Sequence, residues 1–459
     1  MPILQEPNDM YKRGEYFYWD IRRIFAILKK GLKLAAARVD RIHSIGICTW
    51  GVDFALFDEK GIMVADPMAY RNTIGKEEMD KLSPEEQAAM FYRTGILSDK
   101  INSVFMIKGI ESKTPGALQG KKLLMIPDIL TYFFTRRLCN EVSEASTTQL
   151  LDVRSMTYSA EQCKVMGIDM DLFPPIAEHG TSLGNILPEI REEIGVNYDI
   201  PVICVPSHDT ASAVLGAPVQ DETFAFVSAG TWALIGLHCR KPVIDENVLR
   251  QGFTNEVGGF GRITLLKNST GMFILQKLRA DYIAENKQEI SWDNFENLAV
   301  AWGGSPLLFD VNAPDFFNPS SMREAIGNYL LRRNQLTGLA EWPAIVSSAI
   351  LSLAVSFAAG LEGVREIGGF DFSRVVIVGG GARSKRLNQL VADISGLEVV
   401  CCGMECSIIG NALAQAAFAC RLGFGDLRRI AAASLSTSVY SPQEDKNSLL
   451  EKLRILKDI

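Results

Sequence analysis

The run Arg374–Val378, followed at once by Gly379, Gly380 and Gly381 and then by apolar positions at Leu387, Leu390 and Ile394, leaves this stretch of chain little choice of fold. Five residues, mostly β-branched, read as a strand buried on both faces, and the spacing after the glycines reads as an amphipathic helix. A short run at Glu398–Cys401 and a helical pattern over Ile409–Ala419 close a strand, turn, helix, strand unit of the α/β class. Three glycines at the end of a buried strand let a phosphate or nucleotide approach free amides with no Cβ in the way. A tight strand-to-helix turn asks for the same residues, so both readings stand. Gly379, Gly381 and Ser384 meet the first two glycines of the dinucleotide fingerprint but not the third, and no Gly-x4-Gly-Lys-Ser/Thr sequence occurs.

At 459 residues the chain exceeds a single hydrophobic core, so two domains are expected. Ser44–Asp58 holds two β-rich runs around Thr49-Trp50-Gly51 and ends in a turn at Glu59-Lys60-Gly61, which predicts a hairpin-like sheet element. Helical patterns follow from Lys76 to about Met166, one of them with a start signal at Pro127-Asp128. Pro201–Val205 reads as a buried parallel strand that ends at Ser207-His208-Asp209. The pattern then restarts: Thr223–Ser228 and Trp232–Leu237 are strands joined through Ala229-Gly230-Thr231, with further strands near Asn255 and Ile263. The expected domains are therefore 1–210 and 211–459.

A net charge of -7 argues against a nucleic-acid partner, which needs clustered Lys and Arg. The first residues carry no basic region ahead of an apolar run, so neither a signal peptide nor an anchor is read there and a cytoplasmic location is expected. Ala344–Gly360 is uncharged and approaches the length of a bilayer span. Its serines at 348, 352 and 356 form a small-polar stripe that suits a helix buried between protein layers, so no membrane partner is expected. Cys401, Cys402 and Cys406 cluster without a fourth Cys or His at ligand spacing, which favours free buried thiols in a reduced compartment over a metal site.

Three further groups have chemistry and a plainer alternative. Asp209, at the end of a strand, can accept a proton from a substrate hydroxyl or simply cap the helix that starts at Thr210-Ala211-Ser212, with His208 a structural hydrogen-bonder beside it. Ala229-Gly230-Thr231 can wrap a terminal phosphate with amides or be an ordinary hairpin turn. Trp50-Gly51-Val52-Asp53 offers an aromatic face, a close approach and a carboxylate to a sugar, or else a core tryptophan and a turn glycine.

Taken in order, these segments resemble the FGGY carbohydrate kinases, and among them the branch that phosphorylates rhamnulose. The stretches that carry the resemblance are Thr49–Phe54 (TWGVDF), Pro67–Asn72 (PMAYRN), Glu144–Leu150 (EASTTQL), Ser207–Val214 (SHDTASAV), Ser228–Gly236 (SAGTWALIG), Phe253–Gly259 (FTNEVGG), Leu265–Lys277 (LLKNSTGMFILQK) and Gly379–Gly396 (GGGARSKRLNQLVADISG). The resemblance implies two ribonuclease-H-like domains of the actin and hexokinase type with a cleft between them, small-molecule sugar and nucleotide as partners, and ATP with Mg2+. It implies Asp209 as catalytic base, with His208, Thr210 and Gly51 at the sugar and Trp50 and Asp53 in the same loop. On the nucleotide side it implies Gly230 and Thr231 at the phosphates, Asn268 and Gln276 in contact with the nucleotide, and Gly380 with Gly381 at the adenosine; it assigns no protein metal ligand. The implied reaction moves the γ-phosphoryl group of ATP to the 1-hydroxyl of L-rhamnulose.

The sequence departs from that pattern in three places. Members of the family open with a strand, an Asp-x-Gly-x-Ser-x-Arg loop that contacts ATP phosphates, and a second strand; here no such loop precedes Glu15–Asp20, so an N-terminal domain without its first strands is expected. Cys48 and Asn72 stand where the family usually has Asp. The alternatives to rhamnulose phosphorylation are accordingly another ketose or polyol kinase, or a catalytically impaired sugar-binding relic.

Overall fold

The computed structural model describes residues 2–338, 340–368, 370–403 and 406–443; the end of the expected second domain, 444–459, lies outside them. By internal contacts the chain forms two units. The first comprises Met1–Gly216, Cys239–Leu265 and Ser407–Ala431, the second Ala217–His238, Leu266–Cys406 and Ala432–Ile459. The chain first passes between units close to the expected boundary at 210, but two later stretches return to the first unit.

In the first unit the strands Met10–Arg13 and Tyr16–Trp19 form an antiparallel hairpin. Helix Ile21–Ala36 follows, started by Asp20, whose carboxylate accepts from Arg23 N at 2.9 Å. Its apolar side, Ile24, Phe25, Leu28 and Leu32, packs on a core that includes Phe57, Leu124, Ile129 and Val202. Ser44–Asp58 is not the expected hairpin. Its first run pairs in parallel with a distant segment, Ile45 with Val202 and Thr49 with His208, while its second, Phe54–Phe57, pairs antiparallel with Lys122–Met125. The reason lies at Val52, which takes a left-handed conformation at φ 69 and has its backbone N–H and C=O engaged by the Thr147 and Ser103 hydroxyls, so the two runs are turned away from one another. Among the described residues, no strand pairing confined to this unit joins more than two named strands.

Pro201–Ile203 is a strand, but its strand partner Ser182–Asn185 runs antiparallel to it and the expected parallel pairing is limited to the bridge from Ile45 to Val202; helix Asp209–Leu215 follows. The buried Arg428, on the last returning stretch, donates to the carbonyls of Val214 and Leu215 at the end of that helix.

The second unit holds six consecutive strands of one sheet, in the order Ile263–Thr270, Trp232–Cys239, Phe224–Ala229, Arg374–Val378, Glu398–Cys402, Thr437–Tyr440. Phe224–Ala229 is antiparallel to its hairpin partner Trp232–Cys239 and parallel to Arg374–Val378, which is parallel in turn to Glu398–Cys402. This is the ribonuclease-H-like arrangement. Helix Lys385–Ser395 makes the crossover, buries Leu387, Val391 and Ile394, and is capped by Ser384.

Helix Trp342–Gly368 is the one described helix long and apolar enough to cross a membrane, and 67% of that apolar window is buried inside the protein. Its serine stripe behaves as expected of a packed helix: Ser352 Oγ accepts from Phe309 N at 3.1 Å and Ser356 meets Ser269 at 3.0 Å. All nine cysteines are free; Cys401, Cys402 and Cys406 are buried, with the sulfurs of the last two 2.9 Å apart.

Candidate active site

In the first unit, Ile203 N donates to Ile45 O, Thr49 N to Ser207 O and Asp209 N to Thr49 O, each at 2.8 Å. These bonds lay Trp50-Gly51 alongside His208-Asp209-Thr210. Only glycine fits at 51, since a Cβ there would stand 2.8 Å from Thr147 Cγ2 and 3.3 Å from His208 Cδ2.

His208, not Asp209, takes the cap position of helix Asp209–Leu215, and no side-chain cap bond is made. Asp209 is thus the first helical residue and its carboxylate is not spent on the backbone. Its side chain is 56% exposed; Thr210 Oγ1 lies 3.2 Å from Oδ1, and Ser407 Oγ donates to the Asp209 carbonyl at 3.1 Å. Thr210 itself is buried. His208 lies between two carboxylates, with Nδ1 3.3 Å from Glu256 and Nε2 3.6 Å from Asp209. Burial alone lowers the pKa of the ring, but the hydrogen bond and charge of Glu256, helped by Asp209 and Glu141, raise it to about 9.

Asp53 is fully buried, and its Oδ2 accepts from the indole N–H of Trp19 at 2.6 Å and of Trp50 at 2.9 Å. The two rings sit with centroids 4.5 Å apart. In this structure Asp53 therefore fastens Trp50 and does not open toward solvent. Cys48 is half-buried, its thiol pushed up by burial. Asn72 uses its amide fully on backbone, accepting from Phe17 N and donating to the carbonyls of Phe17 and Ala69. An aspartate could not make the two donations, so this departure from the family pattern has a structural reason.

In the second unit the hairpin turn and the triple glycine meet at Ala229. A Cβ on Gly381 would stand 2.5 Å from Ala229 Cβ, and one on Gly379, whose φ is 84, 3.0 Å from Ala229 O. The carbonyls of the turn are occupied: Met272 N donates to Gly230 O at 2.8 Å, and Gly271 N and Phe273 N donate to Thr231 O at 3.2 and 3.3 Å. Gly230 and Thr231 are thereby fixed against the start of helix Phe273–Asn286, which carries Gln276 on its exposed side one turn in. Asn268 is exposed on strand Ile263–Thr270 just before that junction, and Gly380 is half-buried beside the buried Gly381. Gly230, Thr231, Gln276, Gly380 and Gly381 thus surround one junction.

Sequence reasoning assigned no role to Glu256, Trp19, Thr147 or Ser143. Glu256 does fall inside Phe253–Gly259, a stretch that carried the resemblance, but nothing local marks it as the partner of a histidine. Trp19 offered no signal.

Residues 5–216 match the FGGY family of carbohydrate kinases, N-terminal domain, and residues 225–419 match the C-terminal domain of the same family. A rhamnulokinase of Bacteroides thetaiotaomicron is 33% identical over 446 residues, covering 95% of this chain and 90% of that protein. One of Bacillus subtilis is 31% identical over 458 residues, covering 97% and 91%. One of Oceanobacillus iheyensis is 32% identical over 412 residues, covering 89% and 85%. Among solved structures, a ligand-bound xylulose kinase from Lactobacillus acidophilus has a TM-score of 0.81 at 15% identity, covering 98% of this chain and 91% of that one. Plasmodium falciparum glycerol kinase with ADP has a TM-score of 0.77 at 15% identity, covering 99% and 92%. The two structures bear on the fold alone.

Proposed function

The chain belongs to the FGGY family of carbohydrate kinases, and from that premise we propose that it transfers the γ-phosphoryl group of ATP to the 1-hydroxyl of L-rhamnulose, giving L-rhamnulose 1-phosphate and ADP. The observation that carries the reading is the Asp209 carboxylate, free of the helix cap and beside His208, in a loop pair that also holds Gly51. In this mechanism Asp209 receives the proton of the sugar hydroxyl as its oxygen attacks the γ-phosphorus in line and the bond to the ADP oxygen breaks. Gly51, His208 and Thr210 orient the sugar, with Trp50 alongside. Gly230 and Thr231 offer backbone amides to the phosphates, and Asn268, Gln276, Gly380 and Gly381 hold the rest of the nucleotide.

ATP in this family usually comes with Mg2+, which neutralises phosphate charge when bound. Among the described residues no group of three His, Cys, Asp or Glu side chains gathers to hold a metal. We read the ion as arriving on the phosphates of the nucleotide, where Mg2+ characteristically keeps most of its waters. No step of the proton transfer is assigned to it.

The half-buried thiol of Cys48, in place of a carboxylate, keeps a related ketose or polyol in view as substrate. Turnover with ATP should be compared on L-rhamnulose, L-fuculose, D-xylulose and glycerol, for the wild type and Asp209→Asn. L-rhamnulose is expected to give the highest kcat/KM, and the variant is expected to fold and to lose about 10²-fold or more in kcat. Preference for another of the four would overturn the substrate, and an active variant would remove Asp209 from the chemistry.

A further inference from the structure

His208 is held from several directions within the first unit. Its backbone N–H donates to Ser143 Oγ at 3.1 Å, Gly51 borders its Cδ2, and its two nitrogens address Glu256 and Asp209. The Glu256 side chain is 18% exposed and that of His208 13%, against 56% for Asp209. The ring therefore sits between a largely buried carboxylate and an exposed one.

We propose that Glu256 is a positioning residue: it grips Nδ1 of His208 from behind so that Nε2 is presented, as a donor, to the carboxylate of Asp209. The inference rests on Asp209 being the group that receives the proton of the sugar.

A neutral imidazole has one N–H, so a ring that donates to Glu256 through Nδ1 has only a lone pair to offer Asp209 through Nε2. Both contacts are favourable only in the doubly protonated ring. The charged groups facing the ring are Glu256, Asp209 and Glu141, all acidic, and together they outweigh burial. Glu141 is itself closely paired with His179. What happens here to a carboxyl with no cation beside it is seen at Asp128 and Glu144, which burial, with Glu141 adding its charge, pushes well up. The carboxylate of Asp209 is exposed in the open site, and a bound sugar strips its water. His208 is then the cation that keeps it ionised and able to accept.

The sign follows. Without the charge of Glu256, burial pulls the ring down, and His208 gives up its second proton at lower pH. Glu256→Gln keeps the shape and removes the charge. Its alkaline limb of kcat on the preferred sugar is expected to move down by about one pH unit or more, with kcat at about pH 9 falling about 5-fold or more and KM for ATP unchanged. Glu256→Asp should recover most of the loss. Titration of His208 by NMR in the sugar-free protein, where four histidines must be assigned, reads the same interaction without any turnover. Its midpoint is expected to fall in Glu256→Gln. An unmoved midpoint and an unmoved limb in the folded variant would overturn the proposal alone, whereas full turnover by Asp209→Asn would bring down the reading beneath it.

Discussion

Asp53 lies fully buried between two indoles, and burial holds its carboxyl up at about 7 although both Trp50 and Trp19 donate to it. Its pKa in the folded chain is therefore above that in the unfolded chain, so its contribution to stability is complete below about pH 4 and is lost as pH rises through about 7. Asp53→Asn keeps an oxygen for both indoles and has no charge to desolvate. Unfolding in denaturant is expected to show the variant gaining on the wild type between about pH 5 and pH 8, by up to a few kcal/mol at about 1.4 kcal/mol per unit. Parallel curves would mean another group titrates. The Trp50–Asp53 loop was legible in the sequence as a candidate site, but the role of Asp53 was not, because its second partner stands 34 residues upstream and a lone carboxylate after an aromatic looks alike in a pocket and in a core.

Gly381 and Gly327 separate two meanings of glycine at the level of an element. At 381 an added Cβ would meet Ala229 Cβ at 2.5 Å and Met272 Sδ at 3.3 Å, at the junction of strand, hairpin turn and helix; at 327, inside helix Met322–Arg332, it would meet nothing. Gly381→Ala is expected to cost about 1 to 3 kcal/mol and to raise KM for ATP several-fold while leaving KM for the sugar unchanged. Gly327→Ala should stabilise by about 0.5 to 1 kcal/mol with both constants unchanged. Melting curves and steady-state kinetics check the pair. The strand Arg374–Val378 and its helix were readable because hydrophobic period and turn glycines agreed over a short span. Ser44–Asp58 was misread because both its runs are β-rich and adjacent, while the partners that decide their pairing, at 122–125 and 202–208, are far along the chain.

For the whole molecule, the division by contacts matters more than the order of the sequence. Residues 1–216 alone lack Cys239–Leu265, which brings Glu256, and Ser407–Ala431, which brings Ser407 and Arg428. Expressed by itself, that fragment is expected to show no cooperative unfolding transition, because buried carbonyls and apolar side chains such as Val205 and Leu215 lose their cover. A fragment that melts cooperatively would show that the returning stretches are dispensable. Such returns could not be read from one sequence: Phe253–Gly259 and Ile409–Ala419 have the ordinary patterns of a strand and a helix, and nothing in a local pattern says which core an element joins.

That interleaving sets a schedule for the chain as it leaves the ribosome. Asp209 and Ser407, which end up hydrogen-bonded, are 198 residues apart. At roughly 5 to 20 residues per second the first waits about 10 to 40 seconds for the second. The strands from Phe224 to Cys402 emerge in that interval, so most of the second unit is made while the first still waits for Ser407–Ala431. The nascent protein is therefore committed to carrying an incomplete first unit, with Asp209 already made and the stretch that supports it still being translated, until Ala431 has been added.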